Sequence, residues 1–214
     1  MQEEIMLREM RDEDYEAIEE IISETWNYDQ LTTPQAARKM AKAYLYGCLA
    51  NQTYKQVAIC DKTVAGVIMG KNIRHHRCPL KIRLNQIMAV AGLLLDREGR
   101  RVSSIFSAVN EIDGELLKES GKDYQGEVAF FAIRSKFRGR GLGKKMFCSL
   151  TDYFKAEGIN EFFLYTDTTC NYPFYEHQKM HRRAQRTYAF QIEGQEVPMT
   201  FFLYDGLCRE MGNN

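Results

Sequence analysis

The chain has 214 residues, with 29 lysines and arginines against 29 aspartates and glutamates, so it carries no net charge. That length suits a single domain, residues 1–214, with a substantial core, and is short for two. The charge balance gives no case for a nucleic-acid or anionic-membrane partner, and the longest apolar run, Met88 to Leu95, is far too short to span a bilayer.

In chain order, Ile5 to Arg8 reads as a first strand, and Asp12 or Asp14 can cap a helix whose apolar face is Ile18, Ile21, Ile22, Thr25 and Trp26. Thr33-Pro34 starts a second helix, because proline suits the first helical position. Ala37, Met40, Ala41, Tyr44, Leu45 and Cys48 fall on one of its sides. Gln56 to Cys60 and Val64 to Gly70 form a hairpin around Asp61-Lys62.

Residues 71–125 then interrupt the strands with two helical stretches. The first carries Leu84, Ile87, Met88, Ala91 and Leu95; the second carries Val102, Ile105, Phe106, Val109, Ile112 and Leu116, with Asp96 to Arg101 between them. This is a helical hairpin inserted between the third and fourth strands, its apolar faces expected to be buried against the sheet or each other. A lid over a binding site and a homodimer contact are the alternatives. Strand character resumes over Glu127 to Ile133, followed by a helix with Leu142, Met146, Leu150 and Phe154 on one face. Glu161 to Thr166 is a strand parallel to the previous one if that helix is a crossover. Alternating Tyr188, Phe190 and Ile192, a turn at Glu193-Gly194 and a strand from Val197 to Tyr204 close the chain.

Charge is unevenly placed along these elements. Residues 1–29 are strongly acidic, whereas 71–95 and 128–151 contain no aspartate or glutamate. The basic run Lys71 to Arg83 reads as a solvated face, with contact to an acidic acceptor, a cofactor phosphate or a partner as the sharper reading. Cysteines 48, 60, 78, 148, 170 and 208 form no Cys-x-x-Cys pair or zinc spacing, and the acidic N-terminus lacks the pattern of a signal peptide. Reduced thiols, no metal and a cytoplasmic location are therefore expected.

The most informative segment is Arg138-Gly139-Arg140-Gly141-Leu142-Gly143-Lys144-Lys145, between a strand and an amphipathic helix. Glycines there let backbone N–H groups approach an anion, and a helix N-terminus adds unpaired donors and about half a unit of positive charge. A Walker loop is excluded, since Arg138 stands where its first glycine belongs and Lys145 where its hydroxyl belongs. A Rossmann fingerprint fails as well, because Gly139, Gly141 and Gly143 are spaced by two.

A second segment, Thr168-Thr169-Cys170-Asn171-Tyr172-Pro173-Phe174-Tyr175-Glu176, directly follows the Glu161 strand. With Arg138, Gly141 and Gly143 at the fixed positions of Arg/Gln-x-x-Gly-x-Gly/Ala, the two segments resemble the GNAT superfamily of acyl-CoA-dependent N-acyltransferases. Members usually follow the tyrosine with Gly-Phe, where this chain has Lys179-Met180. The resemblance implies an α/β mixed-sheet GNAT fold, with residues 71–125 outside the common plan. It also implies acetyl-CoA as co-substrate and a small-molecule or peptide amine as acceptor. Arg138, Gly139, Arg140, Gly141, Leu142, Gly143 and Lys144 would hold the pyrophosphate. Phe131, Ala132, Ile133, Asn171 and Phe174 would hold the pantetheine arm.

Acyl transfer to an amine sets two demands. An alkyl ammonium, with a pKa near about 10, must lose a proton before it attacks, and a departing thiolate benefits from a proton donor. Glu127, eleven residues before Arg138, resembles the base of the histone-acetylating branch. Tyr175 resembles the tyrosine acid of other members. His75, His76, His177 and His181 are expected at the surface, with one of them the alternative base. Cys170 could form an acyl-enzyme only with a base beside it. The acceptor is expected near Trp26 to Gln30, the inserted hairpin and the last hairpin. Alternatives to an acetyltransferase are a longer acyl donor and an acyl-CoA-binding docking module without turnover.

Overall fold

The computed structural model describes residues 5–192 and 195–211. Seven strands form one mixed sheet in the order β1-β2-β3-β4-β5-β7-β6. They are β1 (Ile5–Glu9), β2 (Tyr54–Cys60), β3 (Thr63–Asn72), β4 (Gly126–Ile133), β5 (Glu161–Asp167), β6 (His181–Ile192) and β7 (Gln195–Leu207). All neighbours are antiparallel except β4 and β5, which are parallel, as the crossover reading expects. The turn at Asp61-Lys62 places both residues at positive φ, which matches the twist of a two-residue hairpin. The Glu193-Gly194 turn and the side chains of Val102 and Ile192 lie outside the described residues.

Helices cover both faces. On one lie α1 (Tyr15–Trp26), the short α2 (Tyr28–Leu31), α3 (Pro34–Ala50), α4 (Leu80–Leu94) and α5 (Arg97–Ser120). On the other lie α6 (Leu142–Ala156) and the short α7 (Pro173–His177). Ile18, Ile21 and Ile22 of α1 and Met40, Ala41 and Leu45 of α3 pack on Val57, Val67 and Phe130. Ile112 and Leu116 of α5 pack on Phe163, Phe201 and Leu203. Leu142, Met146, Phe147, Leu150 and Phe154 of α6 fill the opposite side with Val128 and Phe162. Gly70 of β3 permits this approach, because a β-carbon there would overlap Leu150.

Thr33 caps α3 by accepting from the Ala36 N–H, with Pro34 in the first turn. Asp96 caps α5 by accepting from Glu98 and Gly99, so α5 begins at Arg97 and the expected six-residue connection shrinks to two residues. The two helices between β3 and β4 are therefore present, but one expected face is corrected. Leu84, Ile87, Met88 and Leu95 of the first stretch are 60%, 57%, 63% and 83% exposed, whereas Leu93 and the half-buried Ile82 pack against the core. The cause is that α4 is apolar nearly all round, so a 3.6-residue stripe can be drawn on more than one side. Among the described residues no helix is long and apolar enough to cross a membrane.

Arg8 of β1 donates to both carboxylate oxygens of buried Asp14 at 2.8 and 2.7 Å, and the Arg11 N–H donates to the same group. Burial alone would raise the Asp14 pKa; the Arg8 and Arg11 hydrogen bonds and the Arg8 charge outweigh it and hold the group below the usual range. A depressed carboxylate stabilises the fold above its unfolded-state pKa and loses that contribution as pH falls through the folded value. Asp14→Ala should therefore lower the melting temperature at pH 7 by roughly 5–10 °C. In thermal melts the deficit should shrink below about pH 4.

Candidate active site

The anion cradle forms where β4 ends. Gly139 and Gly141 adopt φ of 77° and 74°, the left-handed region that favours glycine, and Gly141 is the N-cap of α6. The first intrahelical bond runs from the Lys145 N–H to the Gly141 carbonyl, so the N–H groups of Leu142, Gly143 and Lys144 have no helical acceptor. Leu142 is buried and anchors the turn, while Arg138, Arg140 and Lys144 are exposed around it. Arg138 also uses its Nε on the Ile133 carbonyl at 3.0 Å, which fixes its stem. Just upstream, Arg134 donates to Val64 O, Ala17 O and Glu20, and the Ser135 N–H donates to Glu24 at 2.7 Å. These bonds clamp the loop to α1 and β3.

Beside the cradle the sheet opens. Strands β4 and β5 pair only at Gly126 with Phe162 and Glu127 with Phe163, after which β5 continues along β7 as far as Asp167. The β5-facing edge of β4 from Val128 to Ile133, which includes Phe131 and Ala132, thus has no strand partner. Its far end meets α7: a β-carbon on Gly143 would lie 3.3 Å from both Ile133 Cδ1 and Phe174 Cε2, and the Phe131 and Phe174 rings are 5.7 Å apart. The structure therefore brings Phe131, Ile133, Gly143 and Phe174 to one opening.

The tyrosine segment closes the same side. Tyr175 sits among Phe174, Tyr204 and Phe147, with ring centroids 5.5, 6.1 and 6.3 Å away. Its hydroxyl makes no hydrogen bond among the described residues. Burial, then the nearby Cys170 and Asp167, pushes its pKa well above the ordinary phenol value. Asn171 is exposed, and its backbone carbonyl accepts from the Phe174 N–H. At the closing turn Lys179 takes φ 63°, the conformation a glycine would adopt freely, and buried Met180 fills the core place beyond it. The departure from Gly-Phe thus keeps the turn, at the expense of strain at Lys179.

Glu127 lies at the fork itself, paired across the sheet with Lys71 of β3. Its side chain is 14% exposed and 3.7 Å from Lys71 Nζ, and Asn51 Nδ2 donates to both its oxygens at 3.4 Å. Lys71 in turn donates to Asn51 Oδ1 at 2.6 Å. Burial raises the Glu127 pKa, and Lys71 and Asn51 offset it only in part. The β3–β4 register skips Ala129, pairing Met69 with Phe130 and Gly70 with Val128. That bulge puts Glu127 and Phe130 on the α3 side and Val128 and Phe131 on the α6 side.

On the α3 side the fork is roofed by aromatic rings. The Trp26 ring lies 4.6 Å from Tyr44 and 6.0 Å from Phe130, and Phe106 of α5 lies 6.3 Å from Tyr28 and 6.5 Å from Tyr44. Asp113 lies two turns along α5 from Phe106, and burial followed by repulsion from the Glu127 and Asp167 carboxylates raises its pKa from 3.8 to about 7. Asp167 is an electrostatic neighbour of both Asp113 and Tyr175, so it links the two sides of the fork. Sequence reasoning missed Asp113, Asp167 and the Lys71 pairing. A signal existed for Asp113, which is an acid set inside the stripe of Ile105, Val109, Ile112 and Leu116.

The weaker candidates lie elsewhere or are chemically unsuited. His75 contacts Asn72 and Glu157, His76 bonds the Ala50 carbonyl, and His177 and His181 are exposed. Among the described residues none of them bonds Glu127 or Tyr175. Cys170 sits 3.8 Å from Asp167 Oδ2, and burial plus that charge raises its pKa to about 11, which keeps it a thiol. A groove of about 650 Å³ lined by Glu9, Tyr54, Gln56 and His75 lies along β2 and includes neither Glu127 nor Tyr175.

A carboxylate with a raised folded-state pKa destabilises the fold as pH rises between its unfolded value of 3.8 and its folded value of about 7. Asp113→Asn removes that penalty. Its melting temperature should exceed the wild type by roughly 3–6 °C at pH 8 and by much less at pH 5, as read by paired thermal melts.

Comparisons with known proteins agree with this geometry. The model of the Acetyltransferase (GNAT) family matches residues 15–180. Among solved structures the chain is similar to an N-acetyltransferase from Staphylococcus aureus Mu50, at 15% identity and a TM-score of 0.53 over 96% of this chain and 99% of that one. It is similar to the ribosomal-protein-S18-alanine N-acetyltransferase from Escherichia coli, at 11% identity and a TM-score of 0.53 over 99% and 98%. It is also similar to an acetyltransferase of the GNAT family from Streptococcus pneumoniae, at 13% identity and a TM-score of 0.51 over 95% and 99%. No curated protein matches the chain by sequence. Identities this low show the fold alone, but the family model runs from the first helix through the tyrosine segment. The chain belongs to the GNAT acetyltransferase family and is an acyltransferase.

Proposed function

We propose that the protein is an N-acetyltransferase that moves the acetyl group of acetyl-CoA directly to a primary amine. The observation that carries this reading is that Glu127, the anion cradle and Tyr175 surround the one place where β4 and β5 part. Arg138 to Lys144 would hold the pyrophosphate through free helical N–H groups and exposed cations. The unpaired edge of β4 at Phe131 to Ile133, with Asn171 and Phe174, would hold the pantetheine amides. When bound, the thioester supplies an activated acyl carbon and a thiolate leaving group.

The residues of the chain handle the protons. Glu127 takes one from the acceptor ammonium, directly or through water, so that the nitrogen lone pair is free to attack. Lys71 and Asn51 orient the carboxylate, and its raised pKa makes it a stronger base than an exposed glutamate. Tyr175 gives its proton to the departing sulphur. Its raised pKa keeps the phenol protonated at neutral pH, as that role requires. Cys170, held as a thiol, takes no part, which leaves direct transfer between two bound substrates.

Acetyl-CoA at about 100 times its dissociation constant should raise the melting temperature by roughly 5–10 °C through mass action on the native state. No shift at millimolar concentration would remove the donor assignment. Glu127→Gln and Tyr175→Phe should each lower kcat by roughly 10²–10⁴-fold in a thiol-release assay while preserving that thermal shift. Wild-type kcat/KM should fall on the acid side as Glu127 protonates, and the limb should vanish in Glu127→Gln. Unchanged rates in either variant would overturn its role.

A further inference from the structure

We infer that the exposed apolar face of α4 docks a second copy of this chain, the two α4 helices lying antiparallel about a two-fold axis that passes between Ile87 and Met88. The inference concerns assembly and stands apart from the reading of the acetyl-transfer site.

Helix α4 has two sides of opposite fate. Ile82 and Leu93 pack against the core, while Leu80, Leu84, Ile87, Met88, Ala91 and the C-cap Leu95 are exposed. At about 3.6 residues per turn these six fall within a stripe roughly 100° wide, centred opposite Ile82 and Leu93. Its five large side chains are between 57% and 83% exposed, and no charged residue lies from Leu84 to Leu95. Val90 and Leu94, 40% and 44% exposed, widen the stripe along one flank. The helix has 15 residues, so the stripe is about 22 Å long. A continuous apolar surface of this kind marks an interaction site, and two such stripes supply the apolar centre of a standard interface of about 800 Å² per partner.

The order of the stripe identifies the occupant. Its successive spacings are four, three, one, three and four residues, the same in either chain direction. A second α4 laid antiparallel therefore meets it residue for residue: Leu80 against Leu95, Leu84 against Ala91, and Ile87 against Met88. Each bulky Leu84 faces a small Ala91, as a knob faces a hole. One patch thus serves both partners, which is what a two-fold interface requires.

Charge favours the same orientation. The basic residues of α4, Lys81 and Arg83, both lie in its first turn, and its last turn has none. Lys81 lies 4.0 Å from exposed Asp12, and Arg83 donates to Gln86 on the same helix at 2.8 Å. Antiparallel pairing keeps the two basic ends apart and sets each beside the negative end of the partner helix's dipole, whereas parallel pairing crowds four cations together. A lipid surface is matched by cations along the whole border of an apolar stripe, and α4 carries none beyond Arg83.

Sedimentation velocity of the full chain tests this. The wild type should be a dimer at roughly 10 µM, and Leu84→Lys should raise its dissociation constant at least 100-fold by setting an unpaired charge in the seam. Ala91→Glu added to Leu84→Lys should recover at least tenfold, because only the antiparallel pair sets the new acid against the partner's new lysine. Far-UV circular dichroism checks that each variant is folded; should Leu84→Lys not fold, Leu80→Lys, at an 82% exposed site, takes its place and should dissociate the dimer likewise. A wild type that stays monomeric up to about 100 µM overturns the inference, and its flotation with phosphatidylglycerol vesicles assigns the face to lipid instead. A dimer that Leu84→Lys and Leu80→Lys leave intact, or a double variant that recovers nothing, overturns it as well.

Discussion

The rest of the structure depends on one interrupted hydrogen-bond ladder. Between β4 and β5 only two residue pairs meet, so the backbone of β4 beyond Glu127 runs on with one edge unmatched. Backbone polar groups inside a protein are nearly always paired, and an edge left open in mid-sheet is stable only if water or a ligand completes it. The surrounding elements keep it open. Helix α6 wedges its Phe147 and Leu150 against one face, α5 holds β5 and β7 from the other, and the Arg134 clamp prevents the end of β4 from following β5. Cradle, tyrosine and glutamate are positioned by that separation, and none would share a space if the strands paired throughout.

The two sides of the fork are built from opposite electrostatics. Toward α6 it presents helix N–H groups with Arg138, Arg140 and Lys144; toward α3 and α5 it presents Glu127, Asp113 and Asp167. The acidic side opposes folding, and Asp113 is its clearest example. By contrast Asp14, buried and matched by Arg8, supports the fold. The same residue type thus stabilises or strains the structure according to whether the chain supplies its counter-charge.

Much of this was legible in the residues. The glycine spacing at 139, 141 and 143, set between an apolar run and a helical stripe, specifies the cradle because local backbone geometry decides it. Glu127 is read from its distance to that cradle, and Tyr175 from the Pro-Phe-Tyr order that follows the Glu161 strand. The burial side of α4 was not legible, since an almost uniformly apolar helix has no preferred stripe, and the wrong side was chosen. Asp113 escaped because its meaning depends on Glu127 and Asp167, contacts that only the tertiary fold creates. Lys179 shows the converse: the sequence departs from the family pattern, and the backbone takes the glycine conformation regardless.

The bulge at Ala129 sets the phase of everything downstream on β4. Strand side chains alternate with a period of two, so one inserted residue reverses the assignment of odd and even positions beyond it. Upstream of the bulge, odd Glu127 looks toward α3; downstream, even Phe130 does, while odd Phe131 and Ile133 turn toward α6. Glu127, Phe131 and Ile133 share one parity in the sequence, yet Glu127 lies on the opposite side of the sheet from the other two. Loss of a single residue at this point would therefore be graver than any substitution there, because it would leave every side chain chemically intact and deliver half of them to the wrong face of the sheet.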